Sequence, residues 1–592
     1  MNSETKICQN CKQSFTIEPE DFDFYERIKV PPPTWCPQCR FRRRIIFRNE
    51  LNLYRRKCDL CGKNIVSVYK SPSAFPVYCN SCWFSDDWDP LVYGTSYDKN
   101  SPFLAQFRQL LDKVPRLALN QFKNTNCEYT NFSAECKNCY LSVSILQCED
   151  SAYSSRAFYS RDVFDCLDIS RCENCYQCVR CEQCSRTTFA QFSESLIDSH
   201  YCFDCKGLTN CFGCVALRNK SYHFLNQPLG KEEYLRRVAE VRTNDNWGKF
   251  MEDYRQLIFS RPRRYAYILK SQICSGDYIV NSKNSKNCFF IKDLINSKNV
   301  FNASNLKDSY DISWDDDSEL SYEVMSGEKD YSFRLGASCW YSQFVEYSSF
   351  CLDSKNIFGC VGLRKKEFCI LNKLYSEKDF LVRREDIVRG MGENVYRDAR
   401  GRTYSYGEFL PPEFSSFAYN ETVNQQYFPL NREGAVAKGY AWLEPETKEY
   451  QITLSESNLP EIQRADESIL QETIGCAHQG ECNQQCTTAF KVIPQELQFY
   501  KRMNLPLPRL CPNCRHYERL AQRNPLKLWH RKCQCAGRKS EARNTKSETT
   551  LYQNTAAHFH KDEPCPNEFE TSYAPERKEI VYCEACYNAE VV

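Results

Sequence analysis

Between about residue 120 and residue 395 the chain alternates small polar turns with brief apolar runs of Tyr, Phe, Val and Cys. The phrases return about every 9 to 13 residues: KNCYLS, DSAYSS and DVFDCLD, then SKNVFNAS, LKDSYDIS, LSYEVMS and KDYSFRL. Each run is too short to bury a face alone, whereas a stack of them makes a continuous core, which is the logic of a solenoid. The pattern predicts two right-handed β-helix-like stacks, or one stack interrupted at about 230 to 265. Two helical patterns close the halves: KEEYLRRVAEV after Gly230, and EKDFLVRREDIV after Ser376, where Ser376 and Asp379 make a capping box.

The middle is a duplication. FGCVALRNKSYHFLN at 212–226 returns as FGCVGLRKKEFCILN at 358–372, 146 residues on, and CEYTNFSAECKNCYLSVS answers SGDYIVNSKNSKNCFFIKD with an offset drifting to 149. Residues 395–470, with YSYGEFLPPEFSSFAYNET and then NREGAVAKGYAWLE, read as an aromatic linker and a short helix strapped across the repeats.

The two ends are also copies. CPQCRFRRRIIFRNELNLYRRKC at 36–58 matches CPNCRHYERLAQRNPLKLWHRKC at 511–533 in 12 of 23 positions. The offset is 475 from Cys11/Cys486 to Cys58/Cys533 and 504 from Cys61/Cys565 onward, so the second copy carries an insertion of 29 residues. The cysteines fall in pairs, and a C-x2-C turn presents two thiolates to one tetrahedral Zn²⁺. The first copy supplies Cys8, Cys11, Cys36 and Cys39 as one set, and Cys58, Cys61, Cys79 and Cys82 as a second. A third set reads as Cys482, Cys486, Cys511 and Cys514, with Cys476 and His478 either belonging to it or free. The fourth reads as Cys533, Cys565, Cys583 and Cys586, with Cys535 or the His558/His560 pair as rivals. The cofactor expected is Zn²⁺, about four ions. Pro37 suits the first turn of a helix that continues through RFRRRIIFRN, and a knuckle followed by such a helix is the treble-clef arrangement.

These motifs resemble known zinc modules. The run C-x2-C, F-T-x4-D-F-x-F-Y, P-P-x2-C-P-x-C-R resembles a zinc-ribbon domain, and CDLCG with its 17-residue gap to VYCNSCW resembles a CxxC-x17-CxxC zinc-binding domain. Together with the closing FETSYAPERKEIVYCEACY, the combination is similar to a group of large cysteine-rich zinc-binding proteins of reduced-genome bacteria. The resemblance implies metal binding at both ends and brings no activity with it.

The remaining cysteines belong to the repeats. Cys172, Cys175, Cys178, Cys181 and Cys184 run at every third residue, followed by Cys202, Cys205, Cys211 and Cys214. An iron-sulfur run needs an x3 step and a Pro that are missing here. Cys205 and Cys211 align with Ser354 and Ile357 in the second half, while Cys202 and Cys214 align with Cys351 and Cys360. A four-thiolate site does not survive that exchange, but a small inward-facing apolar residue does. Core packing is therefore favoured over a zinc site, and zinc over iron-sulfur.

Charge sharpens the ends. The net charge of +2 conceals +7 over 36–63 and +11 over 501–546, leaving −16 for the rest. Arg offers phosphate a planar fork, so the basic stretches point to nucleic acid, RNA more than DNA. The expected contacts are Arg40, Arg42, Arg43, Arg44, Arg48, Arg55, Arg56 and Lys57 in one copy and Arg515, Arg519, Arg523, Lys527, Arg531 and Lys532 in the other. Phe41, Phe47, Tyr54 and Trp529 are placed to stack on bases. Two alternatives stand beside this: pairing with the chain's own acidic middle, and a scaffold that binds a protein partner. A carboxylate enzyme on Asp315, Asp316, Asp317 and Glu319 is a third reading, weakened by seven histidines in all and no P-loop, GxSxG or HExxH. With 38 cysteines, no apolar h-region at MNSETKICQN and no long apolar run, the reading is a reduced, cytoplasmic, non-enzymatic protein without a membrane partner.

The fold class expected is mainly β, with central solenoid-like duplicated repeats flanked by treble-clef or zinc-ribbon modules. The domains expected are 1–115 (tandem zinc modules), 120–260 and 270–395 (repeat halves with terminal helices), 396–470 (linker) and 471–592 (second tandem). Oligomeric state is not legible.

Overall fold

The computed structural model describes residues 2–242, 244–444, 450–537 and 552–592. It is strand-rich in the middle, with cysteine modules near both ends. The chain divides into two units, residues 1–119 with 266–444, and residues 120–265 with 445–592. The amino-terminal cysteine modules thus share a unit with the second repeat, and the carboxy-terminal modules with the first. Among the described residues no helix is long and apolar enough to cross a membrane.

Each repeat is a parallel ladder in which a residue pairs with the one twelve further on. In the first, Asn131, Val143, Ser155, Leu167, Val179 and Gln191 form one row. In the second, Phe289, Phe301, Ser313, Met325 and Ala337 do the same within an eleven-stranded sheet from Ile268–Leu269 to Lys373–Leu374. The approximate spacing of 9 to 13 is therefore a regular twelve. Each rung breaks into triplets because every third residue turns left-handed: Asp162, Asp165, Asp168, Arg171, Asn174 and Gln177 have φ between 51° and 58°. Asn and Asp tolerate that conformation best after Gly. In the second ladder these asparagines also stack, Asn284 Nδ2 donating to Asn296 Oδ1 (3.1 Å) and Asn287 Nδ2 to Asn299 Oδ1 (2.8 Å).

The residue after each left-handed position faces inward. In the first ladder this row is Cys166, Ile169, Cys172, Cys175, Cys178, Cys181 and Cys184, all buried in one core. In the second it includes Ile279, Cys288, Ile291, Leu294, Val300 and Ala303. Serine and cysteine occupy it interchangeably. The Ser154 hydroxyl donates to the Ala152 carbonyl and accepts from the Cys166 amide, and the Cys172 thiol donates to the Ser170 carbonyl. The triplet thus explains cysteine at every third residue as interior packing: the thiol fills a small apolar slot and still finds an acceptor.

A terminal module packs on each ladder through matching residues. Phe24 stacks on Tyr310 (centroids 3.9 Å apart) and Phe499 on Phe164 (4.2 Å). Tyr25 meets Tyr322 edge-on at 5.5 Å, as Tyr500 meets Tyr176. Each module residue differs from its copy by 475 and each ladder residue by 146, so both duplications enter one repeated contact. Gly359 and Gly213, with φ of +65° and +69°, leave room for Phe103 and Phe250 respectively; a Cβ would sit 2.5 Å and 2.7 Å from those rings. The aromatic stretch after residue 395 also enters the first unit's core, with Tyr404, Tyr406, Phe409, Leu410 and Phe414 buried.

Candidate metal centres and the buried arginines

The first three ligand groups are built alike, and the fourth repeats their plan around an insertion. In the first, a hairpin of Glu4–Ile7 and Ser14–Ile17 carries Cys8 and Cys11 at its turn. Cys36 is the N-cap of helix Pro37–Ile45, and Cys39 lies in its first turn. In the second, Tyr54–Lys57 pairs with Asn64–Ser67 around Cys58 and Cys61, and Cys79 caps Asn80–Trp83. In the fourth, Trp529–Lys532 pairs with Glu568–Thr571, leading out of Cys533 and Cys565, and Cys583 caps Glu584–Val591. Within each group the four ligand atoms lie within 4.8 Å of one another. Cys11 and Cys36 sulfurs are 3.7 Å apart, Cys61 and Cys79 3.9 Å, Cys565 and Cys583 3.8 Å. A Zn²⁺ with bonds of about 2.3 Å to sulfur sets tetrahedral edges of about 3.8 Å. The thiols are free, with no disulfide among them.

One hydrogen bond recurs in all four groups: the amide of the third ligand donates to the sulfur of the first. It runs from Cys36 to Cys8 (3.2 Å), Cys79 to Cys58 (3.3 Å), Cys511 to Cys476 (3.3 Å) and Cys583 to Cys533 (3.2 Å). In the third group Cys476 takes the place of Cys8 in this bond, and Cys476, Cys486, Cys511 and Cys514 form a ligand group. Strand Ile474–Gly475 pairs with Ala489–Phe490 as Ile7 pairs with Ser14, so the cysteine following Gly475 falls where Cys8 falls. Cys482 sits in the longer loop between, its sulfur 3.6 Å from that of Cys514. The I-G before Cys476 is the sequence signal that sets it in the place of Cys8.

Thiols packed this closely cannot all ionise alone. Hydrogen bonds from Cys36 and Cys39 hold the Cys8 thiol far below its ordinary range, while Cys36 and Cys8 push Cys39 far above it. Cys511 and Cys514 divide in the same way. A dication ionises all four, since metal binding displaces thiol protons. The residues therefore fit a tetrahedral thiophilic ion, and with four thiolates they leave no open coordination position.

A further group gathers beside the fourth: Cys535, His558, His560 and Cys586. Cys535 Sγ lies 3.4 Å from His558 Nδ1 and 3.3 Å from His560 Nε2, and His560 Nε2 is 3.2 Å from Cys586 Sγ. Glu590 lies behind His558. Burial raises its pKa, but hydrogen bonds from His558 and from the Thr555 and Ala556 amides prevail and hold it at about 2.

The arginines expected on phosphate are largely inside. Arg40, Arg43, Arg44, Arg48, Arg56, Arg515 and Arg519 are buried. Arg43 binds Glu323 and Glu408, each at 2.7 Å, and stacks on Trp35. Arg40 reaches Asp311 at 2.7 Å; Arg44 reaches Asp311 at 3.3 Å and Glu323 at 3.0 Å. Arg48 binds Glu50 and Ser326, and Arg56 binds Asp59. In the other unit Arg515 and Arg519 share Asp165 at 2.6 and 2.7 Å, and Arg523 approaches Asp168 at 3.6 Å. Asp165 and Asp311 are 146 residues apart, so the shared clamp is duplicated with both its halves. Burial works against the charge of Arg40 and Arg515, yet Asp311 and Asp165 raise their pKa well above the ordinary value. These side chains cannot meet an external phosphate without leaving their carboxylates, which corrects the expectation for them. Arg42 lies over Phe428, and Arg531 is half-buried with its guanidinium near the Ala574 carbonyl. Arg55, Lys57, Lys527 and Lys532 are exposed.

The expected base-stacking rings are likewise engaged. Phe41 packs on Phe301 and Phe428, Phe47 on Phe409, the Tyr54 hydroxyl donates to Glu421, and Trp529 carries Lys527. The acidic partners Asp165, Asp311, Glu323 and Glu408 were not singled out by sequence. Their one visible trace is the 146-residue return of Asp165 as Asp311.

No protein-family model matches this chain, and no curated protein matches it as a relative. Several four-cysteine clusters compatible with zinc-binding modules are what the structure itself provides.

Proposed function

We propose that the chain is a non-enzymatic, metal-stapled scaffold: two solenoid bodies, each braced by a tandem zinc module, offering their surfaces to a protein partner. The observation that carries this is the duplicated arginine clamp. Helices Pro37–Ile45 and Pro512–Ala521 spend their guanidinium groups on Asp311 and Asp165, in the same register in both units. A zinc group fixes the start of each helix, and the helix then docks on a ladder, so the metal acts at a distance as a structural staple. The solenoid reading rests on the twelve-residue register that recurs from rung to rung and on the inward row of Cys, Ser and aliphatic residues.

Nucleic acid, RNA over DNA, is the second reading and now rests on Arg55 and Lys57 in one unit and, separately, Lys527 and Lys532 in the other, all exposed. Titrating the metal-loaded protein into labelled single-stranded RNA and duplex DNA at low and moderate salt separates the two. The scaffold reading expects weak binding with no steep salt dependence. Tight binding that collapses as salt rises, and that Lys57→Ala with Lys532→Ala abolishes, overturns it in favour of RNA or DNA.

A further inference from the structure

The 29-residue insertion of the second copy supplies Cys535, His558 and His560, all lying between Cys533 and Cys565. It brings three metal-ligand side chains to the one corner where Cys586 already faces the fourth cysteine group. Two locked tautomers make the arrangement informative. His558 Nε2 lies 2.8 Å from a Glu590 carboxylate oxygen, and His560 Nδ1 lies against the Glu563 carbonyl. A backbone carbonyl only accepts hydrogen bonds, so His560 Nδ1 is placed to donate to it, and His558 Nε2 faces a carboxylate oxygen in the same way. The opposite nitrogens, His558 Nδ1 and His560 Nε2, then present lone pairs, and both are aimed at the Cys535 sulfur at 3.3 to 3.4 Å. One thiol proton can serve only one of them. Asn554 Nδ2 donates to Cys535 Sγ at 3.1 Å, and its own Oδ1 accepts from the Tyr582 hydroxyl at 2.8 Å, so the sulfur is held in place. Two imidazole nitrogens and two cysteine sulfurs lie within 4.8 Å of one another, with three of the four residues buried, and that is a ligand set for a cation.

We infer that Cys535, His558, His560 and Cys586 bind a second ion, and that Cys586 bridges it to the ion held by Cys533, Cys565 and Cys583. This binuclear thiolate-imidazole centre rests on the reading of the fourth cysteine group as a metal site. Cys586 belongs to both ligand groups, and its sulfur lies 3.2 Å from His560 Nε2. Five thiolates with two dications carry a net charge of −1, where four thiolates on one ion carry −2, so the second ion relieves buried charge. Zn²⁺ suits two sulfurs and two imidazole nitrogens. In the second group two residues separate Cys58 from Cys61, where the insertion separates Cys533 from Cys565.

The test is ¹¹³Cd NMR on the full-length protein with ¹¹³Cd²⁺ exchanged for its metals, alongside native mass spectrometry. The expected result is five cadmium ions per chain, two of whose resonances split each other through the shared sulfur. The all-thiolate member of that pair lies downfield of the one with two imidazoles. His560→Ala removes one ion and the splitting and leaves the remaining resonances in place, with an unchanged circular dichroism spectrum. Four ions with no mutual splitting, or a wild-type spectrum retained by His560→Ala, overturns the binuclear centre while leaving the four-cysteine sites standing. A folded protein that takes up no ion at this corner overturns both.

Discussion

Asp165→Asn tests the clamp where it is tightest. One carboxylate, fully buried, takes Arg515 at 2.6 Å on one oxygen and Arg519 at 2.7 Å on the other. Asparagine keeps the shape but loses the charge and one acceptor. Arg515 retains Glu496 at 3.1 Å and the Tyr500 hydroxyl; Arg519, with 0% of its side chain exposed, retains the Tyr153 carbonyl. A buried guanidinium left without its counter-charge costs about 3 to 5 kcal/mol. For a unit of this size that is roughly 6 to 10 °C in Tm. The control is Asp162→Asn, which breaks the half-exposed pair with Arg502 three residues away and loses under about 1 kcal/mol. Urea unfolding of the metal-loaded protein at neutral pH reads both variants, and a double-mutant cycle of Asp165→Asn with Arg519→Gln reads their coupling. If Asp165→Asn costs no more than Asp162→Asn, the arginines are not structural clamps and the argument from burial fails.

Further expectations concern other links of the account. Cys476→Ala removes one metal equivalent by native mass spectrometry and Cys482→Ala removes none; the reverse result restores the C-x3-C pair as the ligand. Burial and the neighbouring Asp316 raise the pKa of Asp315 to about 8, so it folds protonated. A carboxyl whose folded pKa is raised contributes stability that is complete below its ordinary value near 4 and is lost as pH climbs toward 8. Asp315→Asn therefore gains on the wild type by about 1.4 kcal/mol per pH unit between pH 6 and 7.5, measured by urea unfolding with metal saturating; parallel curves refute the assignment. Gly359→Ala places a Cβ against Phe103 at a left-handed position and lowers stability by about 1 to 3 kcal/mol, whereas Gly401→Ala, also left-handed but in open space, costs less.

The legible parts of the sequence were those written in spacing. Paired cysteines and two long-range offsets, near 475 for the ends and near 146 for the middle, mark the ligand groups and both duplications in the sequence itself. The twelve-residue period was blurred because the inward position recurs every third residue and accepts Cys, Ser, Ile or Val alike, so the eye finds triplets and phrases sooner than rungs. The arginine partners were out of reach for another reason: Arg40 and Asp311 stand 271 residues apart, and a charge run looks the same whether it faces phosphate or carboxylate. Only the joint retention of Arg40/Arg515 and Asp311/Asp165 links them, and that becomes visible once module and ladder are known to touch. Cys476 stayed an alternative because a nearer cysteine completed a familiar spacing; the hairpin register places it where Cys8 stands.

The most direct test of the whole account is the metal count of the full-length chain by native mass spectrometry, on protein purified under reducing conditions without added metal. Four cysteine groups that staple two units predict at least four zinc ions on the compact form, and five with the binuclear corner. They also predict expansion to high charge states when a chelator removes the ions. A compact chain carrying no metal, or one that stays compact and stable after chelation, contradicts the central claim.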